Sequence, residues 1–174
     1  MRPKISYVSP QEALSCIQSG NRIFVHGSAQ TPTYLLKHLA QEAPRLQDVE
    51  LVSITVYGDV FVDKPEYQGH FHINSLFVSE SIRKAVNEGR ADYVPVFLSE
   101  IPELFNQGIM PIDVALVHVS VPDQHGYCSL GVSVDVIPAA VAKARLVLAE
   151  INPAMPRSMG GSALHIDDIH HWVP

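Results

Sequence analysis

Two loops carry the residues whose types and spacing could do chemistry. The first is Gly27-Ser28-Ala29-Gln30-Thr31-Pro32. It lies between an apolar run, Arg22-Ile23-Phe24-Val25, and a stretch with Leu35, Leu36, Leu39 and Ala40 at helical spacing, so it reads as the turn of a strand-loop-helix unit. A glycine lets the backbone approach a ligand closely, and free amides at a helix start suit a carboxylate or phosphate. The same residues also describe a plain tight turn, with Thr31 as cap and Pro32 at the first helical position. The second loop is Ser120-Val121-Pro122-Asp123-Gln124-His125-Gly126-Tyr127-Cys128-Ser129-Leu130-Gly131. Pro122-Asp123 favours a turn, and Gly126 and Gly131 permit backbone angles that other residues avoid. Its length and polar content suit a ligand loop; a hairpin with no ligand is the other reading.

Other reactive side chains are less well arranged. His70 and His72 would share one face of a strand, and His165 precedes His170-His171, but a zinc site needs about three or four convergent ligands. No metal is expected. Cys128 lies three residues from His125, a separation that does not establish contact, and a thiol nucleophile needs a depressed pKa. Glu80, Glu88, Glu100 and Glu150 lie in or beside ordinary helices and strands, and none is assigned as a nucleophile.

The elements that must position these loops follow from the pattern. Ser9-Pro10-Gln11-Glu12 has the form of a capping box opening a helix that runs to Gly20. Strands are expected at 22–25, 49–56, 71–78, 93–98, 114–120 and 146–151, with helices from about 31, at 79–87, at 101–107 and at 136–144. Val114-Ala115-Leu116-Val117-His118-Val119 is nearly continuous in apolar character, as in strands covered on both faces of a parallel sheet. Strands alternating with helices predict an α/β domain over residues 1–151, a largely parallel sheet covered by helices in Rossmann-like layers. Residues 152–174 show little periodicity, contain Pro153, Pro156 and Pro174, and read as a domain-boundary segment crossing a surface toward a further domain.

Composition limits the rest. The 174 residues are 47% hydrophobic and 17% charged, enough for one well-cored domain. The net charge of −6 argues against a nucleic-acid or membrane-surface role. Cys16 and Cys128 are too few for a disulfide framework, which suits a reducing cytoplasm. Met1-Arg2-Pro3-Lys4-Ile5 lacks the apolar run of a signal peptide, and no stretch has the length of a membrane span. A soluble cytoplasmic protein is expected.

The second loop also carries a resemblance. Ser-x-Pro-Asp-x-x-Gly-Tyr-x-Ser-Leu-Gly over Ser120–Gly131, continued by Val132-Ser133-Val134-Asp135, resembles a segment of the acetyl-CoA hydrolase/transferase family, which includes acetate, butyrate and 4-hydroxybutyrate CoA-transferases. Asn152-Pro153-Ala154-Met155-Pro156-Arg157 with Gly160 resembles the next such segment, and Ser9–Ala13 and Gly27–Pro32 match the family's beginning in order and spacing. The resemblance implies a two-domain enzyme in which a glutamate attacks an acyl-CoA and passes CoA to a small carboxylate through a glutamyl-CoA thioester. In the family that glutamate sits in a Gly-Ile-His-Ser/Thr-Glu-Met stretch of the carboxyl-terminal half, which nothing here matches, so the catalytic residue is expected outside this chain. The amino-terminal half lines the acyl side of the cleft. The implied substrate-binding residues are therefore Gly27, Ser28, Ala29, Gln30, Pro122, His125, Gly126, Ser129 and Gly131. No permanently bound cofactor is implied; a coenzyme A thioester is a substrate. Implied partners are the acyl-CoA, a small carboxylate, the carboxyl-terminal domain of the same protein and further copies in a homo-oligomer. An acetyl-CoA hydrolase and a non-catalytic ligand-binding domain on the same fold are the alternatives.

Overall fold

The computed structural model describes residues 4–58, 61 and 64–174. Met1, Arg2 and Pro3, the start read for a leader, lie outside the described residues. The strands are β1 (Arg22–Val25), β2 (Val49–Ser53), β3 (Phe71–Ser75), β4 (Ala91–Tyr93), β5 (Val114–Ser120), β6 (Tyr127–Ser129), β7 (Leu146–Asn152), β8 (Ala163–His165) and β9 (His171–Val173). Seven of them form one parallel sheet in the order β4-β3-β2-β1-β5-β7-β9, while β6 and β8 pair antiparallel beside it. The helices are α1 (Pro10–Leu14), α2 (Thr33–Gln41), α3 (Glu80–Asn87), α4 (Ile101–Asn106) and α5 (Ile137–Lys143). This is the α/β architecture expected.

Alternation along the strands divides the core in two. Val114 and Leu116 of β5 join Leu14, Val25, Leu35, Leu39, Ile82 and Leu148 on the face covered by α1, α2 and α3. Ala115, Val117 and Val119 join Phe24, Phe105, Ile137, Ala140 and Trp172 on the face covered by α4 and α5. Because both faces are covered, β5 is apolar almost throughout, the pattern of a central parallel strand.

Three local expectations shift. The helix from Ser9 is a single turn, although Ser9 Oγ accepts the Glu12 amide as a capping box predicts. Beyond it the Ser15 hydroxyl and Cys16 thiol donate back to the Glu12 and Ala13 carbonyls, a local alternative to continued helix. The strand expected at 93–98 instead ends at Tyr93, since Pro95 has no N–H for the ladder. The 152–174 segment is aperiodic but not loose. It contributes β8 and the edge strand β9, with Trp172 and Val173 buried. Strands of three residues are too short to show a period.

Candidate functional site

Strand order reverses between β1 and β5. From β1 the chain crosses by α2 on one face to β2; from β5 it crosses by α5 on the other face to β7. The loops leaving the two strands therefore diverge, and the crevice outside the carboxyl ends at such a switch point is where open α/β sheets bind ligands. Those loops are Gly27–Pro32 and Pro122–Gly131. Sequence proposed each alone; the topology makes them neighbours.

The first loop is tightly held. A Cβ on Gly27 would lie 2.6 Å from the Thr55 carbonyl oxygen, so only glycine permits this approach to the end of β2. Ser28, at φ 55°, donates its amide to Thr55 O over 2.8 Å, and the Ser28 and Thr55 hydroxyls are 2.7 Å apart. Left-handed backbone at a serine is strain held by these bonds. The Thr31 hydroxyl donates to Ser28 O and accepts the Tyr57 amide. Most loop amides are thereby used: Gln30 N–H goes to Gly27 O and Thr31 N–H to Ser28 O. Ala29 is exposed, and its amide has no partner among the described residues. Gln30 is 5% exposed, yet its Oε1 is buried without a hydrogen bond. A buried polar atom left unpaired costs about 1–3 kcal/mol, so this group calls for an explanation.

The second loop spends its polar groups on itself. Asp123 Oδ1 accepts the His125 and Tyr127 amides over 2.8 and 3.0 Å, closing the turn, and these bonds hold its carboxyl below the usual aspartate range. Arg157 reaches over from the chain after β7. Its guanidinium donates to Ser120 Oγ, Val121 O, Asp123 Oδ2 and Tyr127 O, all within 3.3 Å. The Ser129 hydroxyl accepts the Gly131 and Ser158 amides. The loop is not a self-paired hairpin: β6 pairs with β8, from the 152–174 segment. Gly126 and Gly131 have φ of +87° and +69°. A Cβ on Gly126 would meet the His165 ring at 2.8 Å, and one on Gly131 would meet the Gln30 amide at 2.8 Å and Met155 Sδ at 2.9 Å.

Gly131 against Gln30 is thus the point where the loops touch. Pro122, Gly126 and Ser129 are buried within the second loop, while His125 is exposed on its turn. Of the candidates named from sequence, the structure brings Gln30 and Gly131 together and leaves His125 apart on the turn's outer surface. Replacing Arg157 by alanine removes four hydrogen bonds, two of them to backbone carbonyls. Because the guanidinium is partly solvated, the expected loss is about 1–2 kcal/mol, read as a lower urea midpoint with faster proteolysis near Gln124.

Sequence reasoning gave no role to three residues behind this crevice, two buried and one half-buried. His26, the residue after β1, is fully buried. Its Nε2 lies 2.6 Å from Ser133 O and its Nδ1 accepts the His118 amide at 3.3 Å, which fixes a neutral ring protonated at Nε2. Burial lowers its pKa to about 4. His118 and Glu150 sit in register on β5 and β7, Nε2 to Oε1 3.8 Å. Burial lowers the His118 pKa and raises that of Glu150. A charged residue inside the apolar run Leu146-Val147-Leu148-Ala149-Glu150-Ile151 was the available signal, since glutamate is rarely buried without a partner.

The remaining candidates sort simply. Cys128 is fully buried on β6 with its thiol pushed up to about 12 by burial, so no thiolate forms there. His70 Nδ1 lies 2.7 Å from Leu46 O and His72 Nε2 2.8 Å from Asp92 Oδ2. Among the described residues no three His, Cys, Asp or Glu side chains converge as metal ligands. A cavity of about 420 Å³ lies under α5 between Val141, Val147, Leu164 and Asp168, and it borders the two loops only at Leu130. A cavity of about 280 Å³ adjoins the carboxyl end of β2 at Tyr57, Gly58 and Ser81. Segments that follow the strands carry exposed apolar side chains, among them Tyr57, Phe77, Phe97, Val132 and Met159. No helix among the described residues is long and apolar enough to cross a membrane.

Residues 4–171 match the family model described as the acetyl-CoA hydrolase/transferase N-terminal domain. The chain belongs to that family. It is 40% identical over 170 residues to the 4-hydroxybutyrate coenzyme A transferase of Clostridium kluyveri, covering 98% of this chain and 40% of the relative. It is 41% identical over 160 residues to the succinyl-CoA:acetate/propanoyl-CoA:succinate CoA transferase of Fasciola hepatica, covering 91% of this chain and 33% of the relative. The crystal structure of a 4-hydroxybutyrate CoA-transferase from Porphyromonas gingivalis superposes with a TM-score of 0.80 at 29% identity, over 96% of this chain and 38% of that one. The acetyl-CoA hydrolase/transferase domain seen here thus spans two fifths or less of these relatives.

Proposed function

We propose that this chain is the acyl-binding half of an enzyme that moves CoA between an acyl-CoA and a small carboxylate. The observation that carries this reading is a pair of N–H donors without a hydrogen bond among the described residues, the Ala29 amide and Gln30 Nε2, the latter set at the switch point against Gly131. Such groups suit an acyl carbonyl whose oxygen gains negative charge as it is attacked.

The nucleophile is assigned to a carboxyl-terminal domain, joined at the far end of the 152–174 segment because β9 belongs to the sheet. Its glutamate would attack the thioester carbonyl, expelling CoA thiolate and leaving an acyl-glutamyl anhydride. The thiolate then attacks the glutamyl carbonyl, releasing the first carboxylate and leaving a glutamyl-CoA thioester, and a second carboxylate reverses both steps. The exposed apolar side chains of the segments that follow the strands are assigned to contact with that domain. Permanent cofactors have no place in this scheme, and the protein acts in the cytoplasm, as a homo-oligomer.

The test is made on the full-length protein with acyl-CoA and labelled acetate, butyrate or 4-hydroxybutyrate. A transferase carries label into acyl-CoA, and Gln30→Ala lowers kcat/KM about tenfold, the worth of one lost hydrogen bond of about 1.4 kcal/mol. Free CoA released at a rate indifferent to carboxylate would replace this reading with a hydrolase. Ligand binding with no turnover would leave a non-catalytic domain.

A further inference from the structure

The helix that follows the first loop begins without a cap of its own. Pro32 occupies the N-cap position of α2 and has no side-chain acceptor. A helix leaves its first four amides without intrahelical partners, and each must be satisfied elsewhere. Here the Thr33 amide turns back to Thr31 O and the Leu36 amide takes Pro32 O, which leaves Tyr34 and Leu35. Those two face Glu150, whose Oε2 accepts the Leu35 amide at 3.0 Å and whose carboxyl group also feels the Tyr34 amide beside it. They are the N2 and N3 amides that a local Ser or Asp cap would serve. The acceptor comes instead from β7, 115 residues away.

Glu150 is an expensive residue for packing alone. It is 7% exposed and no Lys or Arg pairs with it among the described residues; His118, at 3.8 Å, is the nearest basic group. A buried carboxylate without a cation is costly unless hydrogen bonds and a favourable dipole hold it, and the start of α2 supplies both. The position governs more than a helix end. Gln30 lies three residues before α2, on a loop whose other end is fixed at Thr55.

We infer that Glu150 is a positioning residue: by capping α2 from the neighbouring crossover, it fixes the downstream end of the Gly27–Pro32 loop and so the placement of Gln30 toward the acyl group. The inference rests on the CoA-transfer reading for its effect on activity, but not for the cap itself.

Two variants of the full-length protein separate these. Glu150→Gln keeps an oxygen for the Leu35 amide; Glu150→Met fills the space without one. Amide exchange at Leu35 should accelerate at least tenfold in E150M and stay within about threefold of wild type in E150Q, with β5 unchanged in both. In activity, E150M should change the kcat/KM ratio between acetate and butyrate by about threefold or more, and E150Q should retain it. A purely structural defect lowers the active fraction and leaves that ratio alone. Unchanged exchange in E150M would overturn the cap. Faster exchange with an unchanged acceptor ratio would overturn the positioning role and leave a structural cap. A wild-type protein without CoA transfer would remove the positioning role together with the functional reading, with exchange still deciding the cap. Were E150M not to fold, E150A gives the same comparison with a cavity in place of a methionine.

Discussion

Gly27→Ala should cost about 3 kcal/mol of stability and at least about a hundredfold in CoA transfer by the full-length protein. The added Cβ would sit 2.6 Å from Thr55 O, and that atom is backbone, not the movable end of a side chain. Relief requires separating the β1 and β2 loops, which breaks the 2.8 Å bond from Ser28 N–H to Thr55 O and lets Ser28 leave its left-handed conformation. Ala29 and Gln30 would move with it. Gly20→Ala is the matched control. There φ is +77° but nothing lies within 4 Å, so only backbone strain is added, about 1 kcal/mol, with no effect on turnover. Urea denaturation compares the two. A G27A protein as stable as G20A would mean the close approach does not constrain the loop.

The second large effect is a pH dependence centred on His26. Its ring is neutral in the fold, and its pKa falls from an ordinary 6.5 to about 4, chiefly through burial. A group with a depressed folded pKa binds its proton first in the unfolded chain. Its contribution is therefore complete above about pH 6.5 and drains away as pH falls toward about 4, where the loss amounts to about 3 kcal/mol. His118, also lowered by burial, adds in the same direction. Glu150 opposes them, because its raised pKa gives a contribution present at low pH and lost as pH rises. The difference between wild type and His26→Gln isolates the imidazole, since glutamine keeps an N–H for Ser133 O but does not titrate. Over pH 4 to 6.5 the stability of H26Q should vary by about 3 kcal/mol less than that of wild type. Parallel curves would show that His26 titrates normally or is not buried in solution. Protonation would matter to the site as well as to stability, because His26 joins the start of the first loop to Ser133, just past the second.

Much of the fold was legible because its signals are local. The β5 run, the β1-loop-α2 unit and the helix near Pro138 declare themselves through apolar period, turn formers and a proline where the first helical turn tolerates it. The 93–98 strand was misplaced by residues that favour strands individually but follow a short edge element broken by Pro95. The ordering of 152–174 was invisible for another reason. What holds β9 is pairing with β7, and what holds β8 is pairing with β6, both long-range partnerships that leave no period in three residues.

The sequence by itself determined the α/β class, the two loops and the family resemblance, since those rest on residue types in fixed local order. Tertiary structure decided which loops meet and what their residues do. The reversal of strand order at β1 and β5 turned two separate motifs into one crevice. Asp123, Ser129 and Arg157 became internal braces because their partners fold back from as far as 37 residues away. The cap on α2 arrives from Glu150 because parallel crossovers bring β7 beneath a helix that is distant in sequence. Hydrogen bonds and burial depend on distance in space, and chain order specifies that distance only after the sheet has formed.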